Sequence, residues 1–124
     1  MIYPLIGPRL HGWLDDTVAL IYLGGAAVLG LQGAALAIAI CGGLVHFLLT
    51  RLTDYPQGTL PLLTFRQHAF VELGEGVAVL AATSLLVSNA PAAVRLFLMF
   101  MGASQLLAFA FSDYRPVGRA ATGA

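Results

Sequence analysis

Apolar residues fill four stretches of the chain, 10–31, 34–52, 65–88 and 92–111. The ionisable residues gather at the start of the first and third stretches and at the end of the second and fourth, with Arg95 the exception. Each stretch approaches the ~20 residues that a helix needs to cross a bilayer core of about 30 Å. Turn chemistry separates them. Pro8 suits a first helical turn, and Gln32-Gly33 and Asn89-Ala90-Pro91 are tight-turn signals. Pro56 and Gly58 stop the second helix within Thr53-Asp54-Tyr55-Pro56-Gln57-Gly58. Residues 59–64, with Pro61 among leucines, read as an interfacial connector. The pattern predicts an all-α, polytopic fold of four transmembrane helices in a single domain over 1–124, with a flexible Gly/Ala-rich tail at 117–124.

The first and third stretches open alike, on Arg9-Leu10-His11-Gly12-Trp13-Leu14-Asp15 and Arg66-Gln67-His68-Ala69-Phe70-Val71-Glu72. In both, the carboxylate follows His at i+4, the spacing that puts the two on one helix face. The second and fourth close alike, on Leu52-Thr53-Asp54-Tyr55 and Phe111-Ser112-Asp113-Tyr114, and Gly43 matches Gly102. The chain therefore reads as two tandem two-helix repeats, about 8–56 and 65–116, with a longer turn in the second. An even number of spans per repeat gives both copies one orientation, so a pseudo-two-fold axis should run along the membrane normal. Both His motifs and both Asp-Tyr motifs then lie on one side.

Composition agrees with a membrane protein: 59% of residues are hydrophobic and 10% charged, with a mean hydropathy of +0.86. Net charge is zero and Lys is absent, which excludes a nucleic-acid footprint. Cys41 stands alone in an apolar run, so no intrachain disulfide forms and a buried, reduced thiol is expected. Asp15 and Asp16 at the head of the first run are unfavourable for a signal peptide. Arg9, Arg51, Arg66, Arg115 and Arg119 fall on the motif side against Arg95 alone opposite, which predicts cytoplasmic termini. Tyr3, Trp13, Tyr55, Phe65, Phe70 and Tyr114 cluster near the same interface and read as an aromatic belt.

The repeated R-x-H-x-x-x-[DE] openings, the [TS]-D-Y closes and the two-span repeat resemble small bacterial membrane proteins related to the SPW-repeat family. The likeness covers nearly the whole chain, although Val28-Leu29-Gly30 and Ser84-Leu85-Leu86 stand where that family carries Ser-Pro-Trp. The resemblance implies a multi-pass protein of the bacterial inner membrane and brings no activity with it.

The chemistry rests on burial. At about 1.5 Å per residue, Glu75 lies roughly 13 Å below Arg66, near mid-bilayer, and His46 lies about 12 Å below Asp54 in the same layer. Ionisable groups at that depth face the bundle interior and pair, so an intramembrane polar cluster of His11, Asp15, Asp16, His46, His68, Glu72, Glu75 and Gln105 is expected. Glu75 and His46 should approach each other. Asp54 and Asp113 are expected to pair with Arg66 and Arg9 at the interface, where Arg51 also lies. Gly74, Ala78 and Ala82 should supply close helix contacts.

Three functional readings follow. The first is a non-enzymatic accessory or scaffold subunit, its cluster purely structural, that meets lipid, a membrane-protein partner or further copies of itself. The second is a proton or ion pathway through the buried His and carboxylates. The third is a cofactor site: a metal held by His11, Asp15, His68 and Glu72, or a haem with His46 opposite His11 or His68. No nucleophile triad, phosphate loop or CxxC pair is present, so an enzyme is not expected.

Overall fold

The computed structural model describes residues 4–115; Tyr3, Arg119 and the expected tail lie outside the described residues. Four helices follow one another: α1 Pro8–Val28, α2 Gly33–Leu52, α3 Phe65–Leu86 and α4 Ala92–Phe111. α1 ends short of its apolar run because Gly30 takes φ +60°. Leu31 N–H donates to Ala26 O at 2.9 Å and Gly30 N–H to Ala27 O at 3.2 Å, the Schellman closure that a left-handed glycine permits. α3 opens on a capping box in which Thr64 and Gln67 satisfy each other's backbone N–H.

Among the described residues, α2, α3 and α4 are long and apolar enough to cross a membrane. α1 has the length, 21 residues. Its Asp15-Asp16 pair and His11 hold its apolar content below that of the other three.

α1 packs along α2 and α3 along α4, with the α2–α3 contact joining the two hairpins. Glycine sets the closest approaches. A Cβ on Gly102 would stand 3.0 Å from Gly76 O, and one on Gly42 would stand 2.7 Å from the Tyr22 ring. The expected contacts through Gly74 and Ala78 do not form, because both face outward. The packed face of α3 is Ala69, Glu72, Gly76, Val79 and Thr83, the stripe that continues His68 and Glu72 along the helix. Ala82 instead lines an apolar cleft of about 190 Å³ between α2 and α3, with Ile38, Cys41, Gly42, Val45, Glu75, Ala78 and Val79. Cys41 is exposed there rather than buried, since its side of α2 faces this open parting.

Polar and apolar groups are distributed inside out. His11, Asp15, His46, His68, Glu72 and Gln105 are buried, while Leu20, Leu44, Leu48, Leu85, Leu96 and Phe100 are exposed. The polar groups occupy the half of the bundle that holds the chain ends. The other half is an apolar core of Ala26, Leu31, Ala35, Val79, Val87 and Leu98.

Two short backbone bridges close the polar end. Leu62 and Leu63 N–H donate to Leu52 O at 2.9 and 2.8 Å, and Asp54 N–H donates to Leu63 O at 2.8 Å. The same pattern ties Leu5 and Ile6 to Phe111 O at 2.9 and 3.0 Å, with Asp113 N–H donating to Ile6 O at 2.9 Å. Sequence reasoning passed over this match, although Pro4-Leu5-Ile6 and Pro61-Leu62-Leu63 stand at the same spacing as His11 and His68.

Candidate metal centre

The i,i+4 pairs of α1 and α3 meet at one point. His11 Nε2 and His68 Nε2 are 3.2 Å apart. His11 Nε2 lies 3.4 Å from Asp15 Oδ1 and 3.3 Å from Glu72 Oε2. His68 Nε2 lies 3.2 Å from Asp15 Oδ2. One donor atom from each of these four residues lies within 4.8 Å of the other three, and all four residues are buried.

Hydrogen bonds fix how the rings present themselves. The Thr53 hydroxyl has one proton, and it donates to Leu49 O at 2.6 Å. Toward His68 Nδ1, 2.8 Å away, Thr53 Oγ1 can therefore only accept. His68 carries its proton on Nδ1 and turns the bare lone pair of Nε2 to the centre. Ser112 Oγ lies 2.6 Å from His11 Nδ1, a hydrogen bond whose direction depends on the tautomer of His11. The two Nε2 atoms face each other at 3.2 Å, flanked by two carboxylates, a cluster that either a shared proton or a cation at its centre satisfies.

The carboxylates have outer partners as well. Tyr55 OH donates to Asp15 Oδ2 at 2.7 Å, and Tyr114 OH to Glu72 Oε2 at 3.4 Å. Burial, and then the nearby carboxylate, push both phenols well above their ordinary range, so both remain donors. Phe65 covers the centre from the end of the bundle, its ring 4.9 Å from that of His11, 5.5 Å from Tyr55 and 4.7 Å from Tyr114. The expected aromatic belt thus divides: Trp13 and Phe70 face outward, while Tyr55 and Phe65 are buried around the site and Tyr114 is half-buried there.

A second polar layer lies deeper. His46 Nδ1 is 2.9 Å from Glu75 Oε2, yet the two are out of line for a hydrogen bond. His46 Nε2 is 4.0 Å from Asp15 Oδ1. Gln105 Nε2 donates to Tyr22 OH at 2.8 Å and lies 3.5 Å from Glu75 Oε1.

The remaining expected residues part from this arrangement. Asp16, placed in the cluster by sequence, is half-buried at its edge and pairs with Arg51 of α2, because one residue past Asp15 turns it about 100° around the helix. Asp54 and Asp113 do not pair with Arg66 and Arg9. Asp113 is instead bound by Arg115 two residues on, whose Nε donates to its carboxylate at 2.8 and 3.0 Å; no ion pair of Asp54, Arg9 or Arg66 occurs among the described residues. The reason is backbone geometry. Thr53 and Ser112 leave their helices in extended conformation, ψ 141° and 148°. Extended chain alternates its faces, so Thr53 and Tyr55 turn inward with Asp54 outward, and Ser112 and Tyr114 inward with Asp113 outward. The [TS]-D-Y repeat was visible in sequence; its middle residue drew the attention that its outer two earn.

Two imidazoles and two carboxylates converging at 3.2–3.4 Å form a donor set for a bare ion. Searches against protein-family models, curated proteins and solved structures returned no match.

Proposed function

We propose that this protein is a membrane-embedded metal-binding protein, holding a divalent transition ion of the Zn²⁺, Mn²⁺ or Fe²⁺ class on His11, Asp15, His68 and Glu72. The observation that carries the reading is the buried convergence of His11, Asp15, His68 and Glu72, one donor atom from each within 4.8 Å of the others. Imidazole and carboxylate donors suit that class, and the absence of Cys from the set argues against Cu⁺. Two carboxylates and a dication sum to zero charge, which makes the cluster tolerable at membrane depth. Thr53, Ser112, Tyr55 and Tyr114 supply the outer hydrogen bonds that orient metal ligands. All four ligand positions come from protein and the site is covered, the mark of an ion that is held rather than one that activates water. On this reading the chain is a non-enzymatic, metal-pinned accessory or scaffold subunit. A through-membrane ion pathway is disfavoured by the apolar core of the far half of the bundle.

The test is metal analysis of the full chain purified in mild detergent without chelator. At least one divalent ion per chain is expected, retained through gel filtration. A chain that holds none, as purified or after incubation with Zn²⁺ and Mn²⁺, overturns the reading.

We further propose that all four helices span a bacterial inner membrane as two tandem hairpins about a pseudo-two-fold axis. Support comes from the matched contacts: His11 with Ser112 and His68 with Thr53, Asp15 with Tyr55 and Glu72 with Tyr114, and the two backbone bridges. The arginine excess puts the polar end and both termini in the cytoplasm. A reporter fused after Ala124 is expected to behave as cytoplasmic and one placed at Gln32-Gly33 as external; reversed signals would refute this orientation.

A further inference from the structure

The layer beneath the metal centre is itself a site. Among the described residues, six buried side-chain nitrogen and oxygen atoms have no hydrogen-bond partner, and four of them lie together here: His46 Nδ1 and Nε2, Glu75 Oε2 and Gln105 Oε1. His46 and Gln105 are fully buried, and the Glu75 side chain is 9% exposed. Buried polar atoms are paired with few exceptions, so four orphans in one layer of three helices ask for an occupant.

Geometry and charge say what kind. His46 Nδ1 and Glu75 Oε2 approach to 2.9 Å without being aligned on each other. On the far side of its ring His46 Nε2 has no hydrogen-bond partner. Gln105 spends its Nε2 on Tyr22 OH and leaves Oε1 free as an acceptor. Charge points the same way: among the described residues the one ion-pairing partner of Glu75 is His46, which is cationic only when protonated, and Arg51 is engaged by Asp16. Duplication does not account for Glu75, for Val18 stands at the corresponding place in α1.

We propose that His46, Glu75 and Gln105, from α2, α3 and α4, bind a second divalent transition ion, with Tyr22 OH beside it. The inference rests on the first ion being held above it. Asp15 connects the two positions, its Oδ1 facing both His11 Nε2 at 3.4 Å and His46 Nε2 at 4.0 Å. One nitrogen and two oxygens, one of them a neutral amide, make a harder and less charged donor set than the first, which favours Mn²⁺ or Fe²⁺ and weaker binding.

The experiment is equilibrium loading of the full chain in detergent with Mn²⁺, read by ions per chain and by electron paramagnetic resonance. Two ions per chain are expected, the second weaker, with a spectrum of two interacting ions. Glu75→Gln, close in shape and without the charge, is expected to return the count to one and the spectrum to that of an isolated ion. A wild-type count of one overturns this inference and leaves the first site standing. A second ion whose spectrum shows no interaction also overturns it, since that ion sits elsewhere. A count of zero overturns both sites.

Discussion

His68→Ala is expected to abolish tight ion binding. His68 Nε2 is one of four donors, within 3.2 Å of both His11 Nε2 and Asp15 Oδ2, and no other imidazole can reach its place. His46, the nearest in depth, presents its Nε2 4.0 Å from the other Asp15 oxygen and its Nδ1 to Glu75. The variant keeps two buried carboxylates and loses a positive partner for them, so thermal stability should fall together with ion content. In the wild type, chelation should reproduce part of that loss. An ion present at about 100 times its dissociation constant stabilises the folded chain by about 2.7 kcal/mol, and at 1,000 times by about 4.1 kcal/mol. Acidification should release the ion, because the imidazoles and carboxylates bind metal only when deprotonated; affinity is highest toward neutral pH and falls as pH drops. Phe70→Ala, two residues away on the outward face, is the control and should leave ion content unchanged. Wild-type ion content in His68→Ala would remove His68 from the site.

How much of this was legible in the sequence depends on which backbone carried the residue. Within helices, period settled the matter. The i,i+4 spacing of His11 with Asp15 and of His68 with Glu72 identified all four proposed ligands, because on a helix two such residues share a face whatever surrounds them. Depth along the helix likewise brought His46 and Glu75 into one layer. Rotation was harder where several stripes were plausible: Gly74 and Ala78 offered a small-residue stripe on α3, yet Gly76 makes the close crossing with Gly102, since burying His68 and Glu72 fixes which face turns inward. Beyond the helix ends the helical period gives no guidance. There the chain is extended, its faces alternate, and the residues that matter at Thr53-Asp54-Tyr55 and Ser112-Asp113-Tyr114 are the hydroxyl-bearing outer two. Charge pairing, the heuristic that suggested Asp54 with Arg66, has little force for exposed groups, where such pairs contribute about 0–1 kcal/mol.

Because the outer hydroxyls hold the imidazoles in register, removing them should weaken the ion without touching a ligand. Thr53→Val keeps the shape of the side chain and takes away the oxygen that accepts from His68 Nδ1–H; Ser112→Ala removes the hydroxyl that hydrogen-bonds His11 Nδ1. Each ring then loses the bond that fixes its tautomer and its orientation, and the lone pair at Nε2 is no longer presented at all times. Losses of this kind cost about 10–100-fold in metal affinity. The two rings touch and share one ion, so the double variant should lose more than either single variant without the losses simply multiplying. Competition titration against a chromophoric chelator reads these affinities directly. Thr53 also bonds Leu49 O, so Thr53→Val carries a structural cost besides; Thr53→Ser, which restores the oxygen, should recover affinity and thereby separate the two effects. Asp54→Asn and Asp113→Asn, at the outward positions between the hydroxyl and the tyrosine, should bind the ion as the wild type does. Were those two to weaken binding as much as Thr53→Val, the inward and outward faces of the corner would have been assigned the wrong way round, and the hydroxyl-to-imidazole account of the site would fail with them.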